Sequence, residues 1–410
     1  MSALKNRLAI IIGYIIGFIF IIDCRSLYQT TFNLGNYLNI ILIFLMVIYL
    51  GLVMKKIQKN VLVNTIEVSG IIILYLLIYG IFKSQGLKFY ELVIIILLSF
   101  WIIRLGPWEN KIPRILTYYG NLISIVALVA IFFWIFGSVL KIISPSGVVS
   151  STWGASNGGY NLVPTYHNLY FETQKSDFTF TIWGTISRNS AIFTEGPMAS
   201  LNFSIGLLTQ LYRLKSKWGK LKTIILILAI LTTFSVTGYI LLLGLGLIFL
   251  VRQSKKIPNE LISYFYGFVL LLIVILTVVV LYNSKLSSNA ASVSVRKDDY
   301  MVGFRAWLSN PILGIGIQNY GGLKNFMESW RYFNTGFSNS VMDILSGGGI
   351  YLGAGYLFCF IKGFIDSYKS DEKKVLFILA MFYLFVTTFF TYTDILLFCM
   401  VWFACRNREN

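Results

Sequence analysis

The chain has 410 residues, 57% of them hydrophobic and only 12% charged, with runs such as Leu8–Ile22, Ile71–Phe82 and Leu261–Tyr282 that are too apolar for a water-exposed surface. A helix crossing the hydrocarbon core needs roughly 20 apolar residues. The composition therefore excludes a soluble domain, and the continuous apolar runs exclude a membrane barrel, whose strands alternate.

The net charge of +17 is read as cytoplasmic loop cations and contacts to anionic headgroups, so no nucleic acid is expected as a partner. Lys5 and Arg7 precede the first apolar run, and Asp23-Cys24-Arg25 follows it where a small-residue cleavage site would stand. The run reads as an uncleaved first helix. Further spans are predicted near 37–54, 61–82, 89–103, 115–140, 198–212, 223–236, 239–251, 261–282, 348–365, 375–390 and 394–405, about twelve crossings in all. The expected fold is an all-α polytopic membrane protein. Its blocks are helices 1–5 over 1–140, a first extracytoplasmic loop over 141–197, helices 6–9 over 198–282, a second such loop over 283–347 and helices 10–12 over 348–410.

With this plan, 22 of the 34 Lys and Arg collect on one side, which the positive-inside rule makes the cytoplasm, together with both termini. The basic clusters flanking 223–251 keep that alternation only if two short helices turn near Ser235–Gly238; such a break is tolerated where it is buried in protein or lines a cavity. Four cysteines (Cys24, Cys359, Cys399, Cys405) sit in or beside apolar runs without metal-ligand spacing, so neither a disulfide framework nor a zinc site is expected. The Ser/Gly-rich start of the first loop is read as flexible, and Gly347-Gly348-Gly349 as a helix break or close packing.

Candidate chemistry gathers in the two long loops. The first ends in RNSAIFTEGP, which puts Arg188 and Glu195 at the mouth of a helix opened by Pro197. Helix N-termini attract anions, and the guanidinium fork matches phosphate oxygens; a snorkelling Arg paired with Glu195 is the plainer alternative. The second loop carries Arg296-Lys297-Asp298-Asp299, then Arg305 and Trp307, then the turn NPILGIG from Asn310 to Gly316. Two arginine-bearing loops on one face suit a pyrophosphate gripped without a metal. Three groups compete as general base: the single histidine His167, which titrates near neutrality, Glu195, and Asp343 in an apolar helix start where an Arg must neutralise it. Trp153, Trp183, Trp307 and Trp330 fall on the outer side, as interfacial belt residues or sugar-stacking platforms.

These segments resemble the O-antigen and capsular polysaccharide polymerases and the related O-antigen ligases. The resemblance is carried by Arg188–Pro197, by Arg296 placed fifteen residues before Pro311 of PILGIG, and by Phe337-Ser338-Asn339-Ser340-Val341-Met342-Asp343-Ile344-Leu345, which is similar to the family's HNxxL segment. Where the ligases carry a histidine before that Asn, this chain has Ser338, which suits a polymerase better. The resemblance implies a metal- and cofactor-independent, C-type glycosyltransferase architecture in the cytoplasmic membrane. Undecaprenyl-pyrophosphate-linked glycans would be donor and acceptor for a surface polysaccharide such as a capsule or exopolysaccharide. A flippase and a chain-length regulator are the partner proteins it implies. Arg188 and Arg296 would stabilise the leaving pyrophosphate, while Glu195, Asp343 or His167 takes the acceptor proton and Arg305, Trp307, Ser338 and Asn339 contact substrate. A ligase is the alternative within the family. A transporter or flippase of lipid-linked sugars is the alternative outside it, disfavoured because mid-helix charges are few, Glu67 being the clearest.

Overall fold

Long runs of Ile, Leu and Phe, uninterrupted by proline, build the helices. In a computed structural model, which describes residues 2–32, 34–54, 58–83, 85–153, 159–180, 184–254, 262, 265, 268–269, 272, 290–331 and 337–406, they follow the apolar runs closely. The first five are α1 (Ser2–Asp23), the short α2 (Leu27–Thr31), α3 (Gly35–Val53), α4 (Lys59–Lys83) and α5 (Leu87–Leu105). A two-stranded ribbon, β1 (Trp108–Glu109) with β2 (Ile112–Pro113), leads into α6 (Arg114–Phe133), which continues as a π-turn over Trp134–Val139. After the strand-bearing segment described below come α7 (Gly196–Gln210), α8 (Lys217–Thr232), α9 (Val236–Ser254), α10 (Ala290–Ser309), α11 (Ser340–Ser367), α12 (Glu372–Thr387) and α13 (Asp394–Ala404). Pro113 and Pro197 mark the starts of α6 and α7, where a missing N–H costs nothing.

Among the described residues, four helices are long and apolar enough to cross a membrane: Leu4–Asp23, Lys59–Lys83, Arg114–Val139 and Ser340–Ser367. Tyr37–Val53, Val236–Arg252 and Asp394–Ala404 are shorter apolar helices. The protein is a multi-pass membrane protein. The span expected at 261–282 lies almost wholly outside the described residues, as do Trp183, Lys55, Lys56, Lys255, Lys256 and Arg408. The chain does break between α8 and α9, at Phe234 with φ 49°.

The expectation of an all-α chain needs one correction. Residues 147–187 form strands: β3 (Gly147–Ser151), β4 (Asn161–Tyr166) and β5 (Tyr170–Phe171) make an antiparallel sheet, and β6 (Lys175–Phe180) pairs with β7 (Gly184–Ser187). Val149 opposes Val163 and Thr165 opposes Phe171, the β-branched and aromatic pairing that a pleated surface favours. Residues 147–151, read as flexible, are thus ordered by their backbone ladder.

At the centre lies α7, buried along nearly its whole length although it carries Ser200, Asn202, Ser204, Thr209 and Gln210. Small residues let its neighbours approach: a Cβ on Gly206 would sit 2.3 Å from Ile123, and one on Gly120 would meet Thr209 Oγ1. Tyr119 donates to Asn202 Oδ1 at 2.9 Å, so part of this polarity is paired within the bundle.

A second joint governs the other half. The helix α11 is broken at Gly349 (φ 61°, ψ −163°), and the Pro311–Gly316 turn is inserted there. Ile315 N donates to Ser346 O (2.7 Å) and Gly316 N to Gly347 O (2.9 Å); on the far side of the break, Ile350 N donates to Pro311 O and Tyr351 N to Ile312 O (both 2.9 Å). Tyr79 adds a bond to Gly347 O at 2.8 Å. In an apolar surrounding every such backbone group needs a partner, and the turn supplies them. The Gly347–Gly349 run is the helix break its composition predicts.

A Cβ at Gly349 would lie 2.3 Å from Ile312 O, in a backbone region open to glycine alone. Gly349→Ala is expected to cost about 2–4 kcal/mol. Gly51→Ala, where nothing lies within 4 Å, should be neutral or stabilise by up to about 1 kcal/mol. Thermal unfolding of the two variants in one detergent checks the contrast; equal melting temperatures would contradict it.

Candidate active site

Arg188 is half-buried where β7 runs into α7. Its backbone is pinned on both sides, with Arg188 N bonded to Gln174 O (2.9 Å) and Asn189 bonded to Thr232 through N–H to O (3.1 Å) and Nδ2 to Oγ1 (2.8 Å). Gly196 makes room for it, since a Cβ there would stand 3.4 Å from the Arg188 stem and 2.8 Å from Thr233 O. The guanidinium acts electrostatically on Tyr239, in the first turn of α9. Glu195 forms the N-cap of α7 through its backbone, as the proline signal predicts.

Arg296 differs from its expected setting. The polar stretch read as loop is largely the helix α10, whose buried positions Asp298, Asp299, Val302, Gly303 and Ala306 recur at helical spacing. Hydrophobic periodicity misses this helix because two of its inward positions are carboxylates. Arg296, half-buried, acts electrostatically on Tyr383, and the Tyr383 hydroxyl donates to Thr237 O at 3.2 Å. Arg188 thus acts on the first turn of α9 itself, and Arg296 on a tyrosine that bonds that turn.

The other loop candidates are structural in their contacts. Arg331, fully buried, bonds Asp298 (3.1 Å) and Asp299 (2.5 Å) and ties α10 to the segment before α11. Burial pushes the Asp299 carboxyl up, opposed by a hydrogen bond from Ser338 and by Arg331. Asn339 caps α11 by accepting from Met342 N at 2.8 Å. Arg305 pairs with Glu328 on the surface at 2.9 Å, and Trp307 donates to Pro311 O at 3.1 Å, fastening the inserted turn. His167 occupies the exposed β4–β5 turn at φ 52°, where its backbone N–H bonds Ser146 and its ring packs on Phe133.

Asp343 is buried in the first turn of α11. Its Oδ2 and the neighbouring Tyr392 hydroxyl have no hydrogen-bond partner among the described residues, and the Thr391 hydroxyl stands close enough to stabilise the carboxylate charge. Arg25, absent from the candidates, acts on Asp343 electrostatically. Arg25 follows α1 in a left-handed turn (φ 58°), with its guanidinium over the Phe389 ring at 4.3 Å and the Trp153 ring at 5.0 Å. Burial pulls this guanidinium down from its ordinary value, while Glu195, Tyr320 and Asp343 hold it up. The turn is fixed by Thr194 N to Arg25 O (3.1 Å) and Leu27 N to Ile192 O (2.7 Å), and Asp23 accepts from Asp394 N at 2.9 Å. One signal for Arg25 was present in the sequence: a cation at the arginine-poor end of the first span.

The structure thus links Arg25 electrostatically with Glu195 and Asp343, Arg188 with Tyr239 and Arg296 with Tyr383, and leaves His167 in its own turn. Among the described residues no three His, Cys, Asp or Glu side chains group as metal ligands. Residues 221–357, which include Arg296, Asp343 and the inserted turn, match the family model described as O-antigen ligase. No curated protein matches the chain.

Removing Arg331 strands two buried carboxylates, so Arg331→Met is expected to cost about 3–5 kcal/mol. Arg305→Ala, at an exposed pair, should stay within about 1 kcal/mol. Chemical unfolding of both variants checks this; a mild Arg331→Met would show that the cluster carries little stability.

Proposed function

We propose that the protein, whose residues 221–357 match the O-antigen ligase family model, is a glycosyltransferase-type membrane enzyme that polymerises undecaprenyl-pyrophosphate-linked repeat units into a surface polysaccharide. On this reading the termini are cytoplasmic, and segments 141–197 and 283–347 face outward from the cytoplasmic membrane in a C-type glycosyltransferase arrangement. The observation that carries it is that Arg188 acts electrostatically on Tyr239 in the first turn of α9, while Arg296, from a different segment, acts on Tyr383, whose hydroxyl bonds Thr237 O of the same turn. Two cations and the N–H end of a helix form a seat for a pyrophosphate.

The chemistry follows from that seat. The acceptor hydroxyl oxygen attacks the anomeric carbon, the bond from that carbon to the pyrophosphate oxygen breaks, and its electron pair leaves with the lipid pyrophosphate. Arg188 and Arg296 stabilise the charge growing on that oxygen, so no metal is invoked. The acceptor proton passes to a carboxylate. Asp343 suits this role because its Oδ2 is unpartnered, and Glu195 stands at the same cluster through Arg25. The wet, separate turn of His167 favours it less. A flippase delivering repeats and a chain-length regulator are the partners such a reaction needs.

The family model's description favours a second reading, a ligase that transfers finished glycan to another acceptor. Ser338, at the position where the resembling ligases carry histidine, favours the polymerase.

Purified protein incubated with one lipid-linked repeat unit and a chelator is expected to produce a ladder of products. A single product that needs a different acceptor would establish the ligase, and no new glycosidic bond would overturn both. Arg188→Ala and Arg296→Ala should each lower the rate about 10²- to 10³-fold. Arg→Lys should recover only part, because an ammonium lacks the planar fork.

A further inference from the structure

Arg25 stands apart from the two arginines already assigned. Its planar cation lies against two ring faces, and among the described residues its N–H groups have no hydrogen-bonding acceptor, although the side chain is only half-buried. Stacking of this kind holds the guanidinium in place while leaving its in-plane donors open. Around it stand two carboxylates, Glu195 and Asp343, and the phenol of Tyr320, whose ring meets Phe389 edge-on at 6.3 Å.

The sign of the charge separates this cluster from the α9 seat. At Arg25 one cation stands among the carboxylates of Glu195 and Asp343, a setting less suited to a pyrophosphate than the seat proposed for Arg188 and Arg296. Aromatic faces with carboxylate and guanidinium edges suit a neutral sugar, which offers an apolar ring face and hydroxyls that both donate and accept. The unpartnered atoms point the same way. Asp343 Oδ2 and the Tyr392 hydroxyl are buried without partners among the described residues, and such groups ordinarily find one. A sugar hydroxyl supplies what each lacks.

We propose that Arg25, held between Trp153 and Phe389, anchors an acceptor subsite that takes the uncharged terminal sugar of the growing repeat and presents its hydroxyl to Asp343. This rests on the transferase reading above. The hydroxyl gives its proton to Asp343 as its oxygen bonds to the anomeric carbon, and the donor leaves as lipid pyrophosphate from the Arg188–Arg296 side. Arg25 thus selects the acceptor, while the other two arginines hold the leaving group.

The test measures binding of two probes to the full-length protein in detergent. One is the host's own repeat-unit oligosaccharide re-linked to an alkyl chain, which accepts but cannot donate; the other is undecaprenyl pyrophosphate alone. Arg25→Gln is expected to weaken the alkyl glycan about tenfold or more and the pyrophosphate by less than about twofold, and Arg188→Gln to do the reverse. Arg25→Lys should recover part of the glycan affinity. Trp153→Leu, which leaves Arg25 in the chain, should also weaken the glycan and serves if Arg25→Gln fails to fold. Equal losses of both probes in Arg25→Gln would return Arg25 to the pyrophosphate grip and overturn the assignment. Unchanged glycan affinity in Arg25→Gln or Trp153→Leu, or a wild type that does not bind the glycan, would overturn it as well. A wild type that binds both probes but joins no sugars would leave the subsite standing and sink the transferase reading.

Discussion

A helix interrupted in an apolar surrounding leaves backbone groups that neither water nor lipid can satisfy. The Pro311–Gly316 turn answers that constraint for α11, with its own N–H groups on one side of the break and its carbonyls on the other. Because Trp307 closes onto Pro311 from the end of α10, the same joint sets the position of α10 against α11. Arg296 and Asp343, one on each helix, inherit their places from this single insertion. Glycine is required on both partners: Gly314 (φ 64°) would bring a Cβ to 2.4 Å from the Gly347 backbone.

The rest of the candidate site is built on helix ends instead of free loops. Glu195 starts α7, Asn339 and Asp343 start α11, Asp394 starts α13, and Tyr239 lies in the first turn of α9. Helix starts present N–H groups and a partial positive charge, so acidic side chains and anionic substrates are both stabilised there. Polar α7 runs buried through the bundle, packed tightly through small residues. The buried Asp298–Asp299–Arg331 cluster braces α10.

Much of this was legible in the sequence. Apolar runs located the helices, proline marked the mouth of α7 with Arg188 and Glu195, and the triple glycine marked the break in α11. What escaped it has physical causes. The helix α10 hides because Asp298 and Asp299 occupy its inward face, and their partner Arg331 lies 32 and more residues away. The strands of 147–187 hide among Ser and Gly because pairing partners, not local propensity, order them. Arg25 escaped because its meaning depends on Phe389, Trp153 and Asp343, which are remote in the chain. Ser338 and Asn339, read as substrate contacts, also bond Asp299 and cap α11, ties to residues that local sequence does not show.

The Asp23 carboxylate receives the backbone N–H of Asp394 across 371 residues of chain. The bond closes a ring from the end of the first helix to the start of the last described one, and Arg25 sits two residues beyond that clasp. During synthesis the first helix enters the bilayer long before its partner leaves the ribosome. Until then the Asp23 carboxylate at the helix end lacks the N–H that satisfies it, and the Arg25 turn has no Phe389 to rest on. Closure of this clasp, and with it the setting of the Arg25 turn, is thereby deferred until α13 has been made.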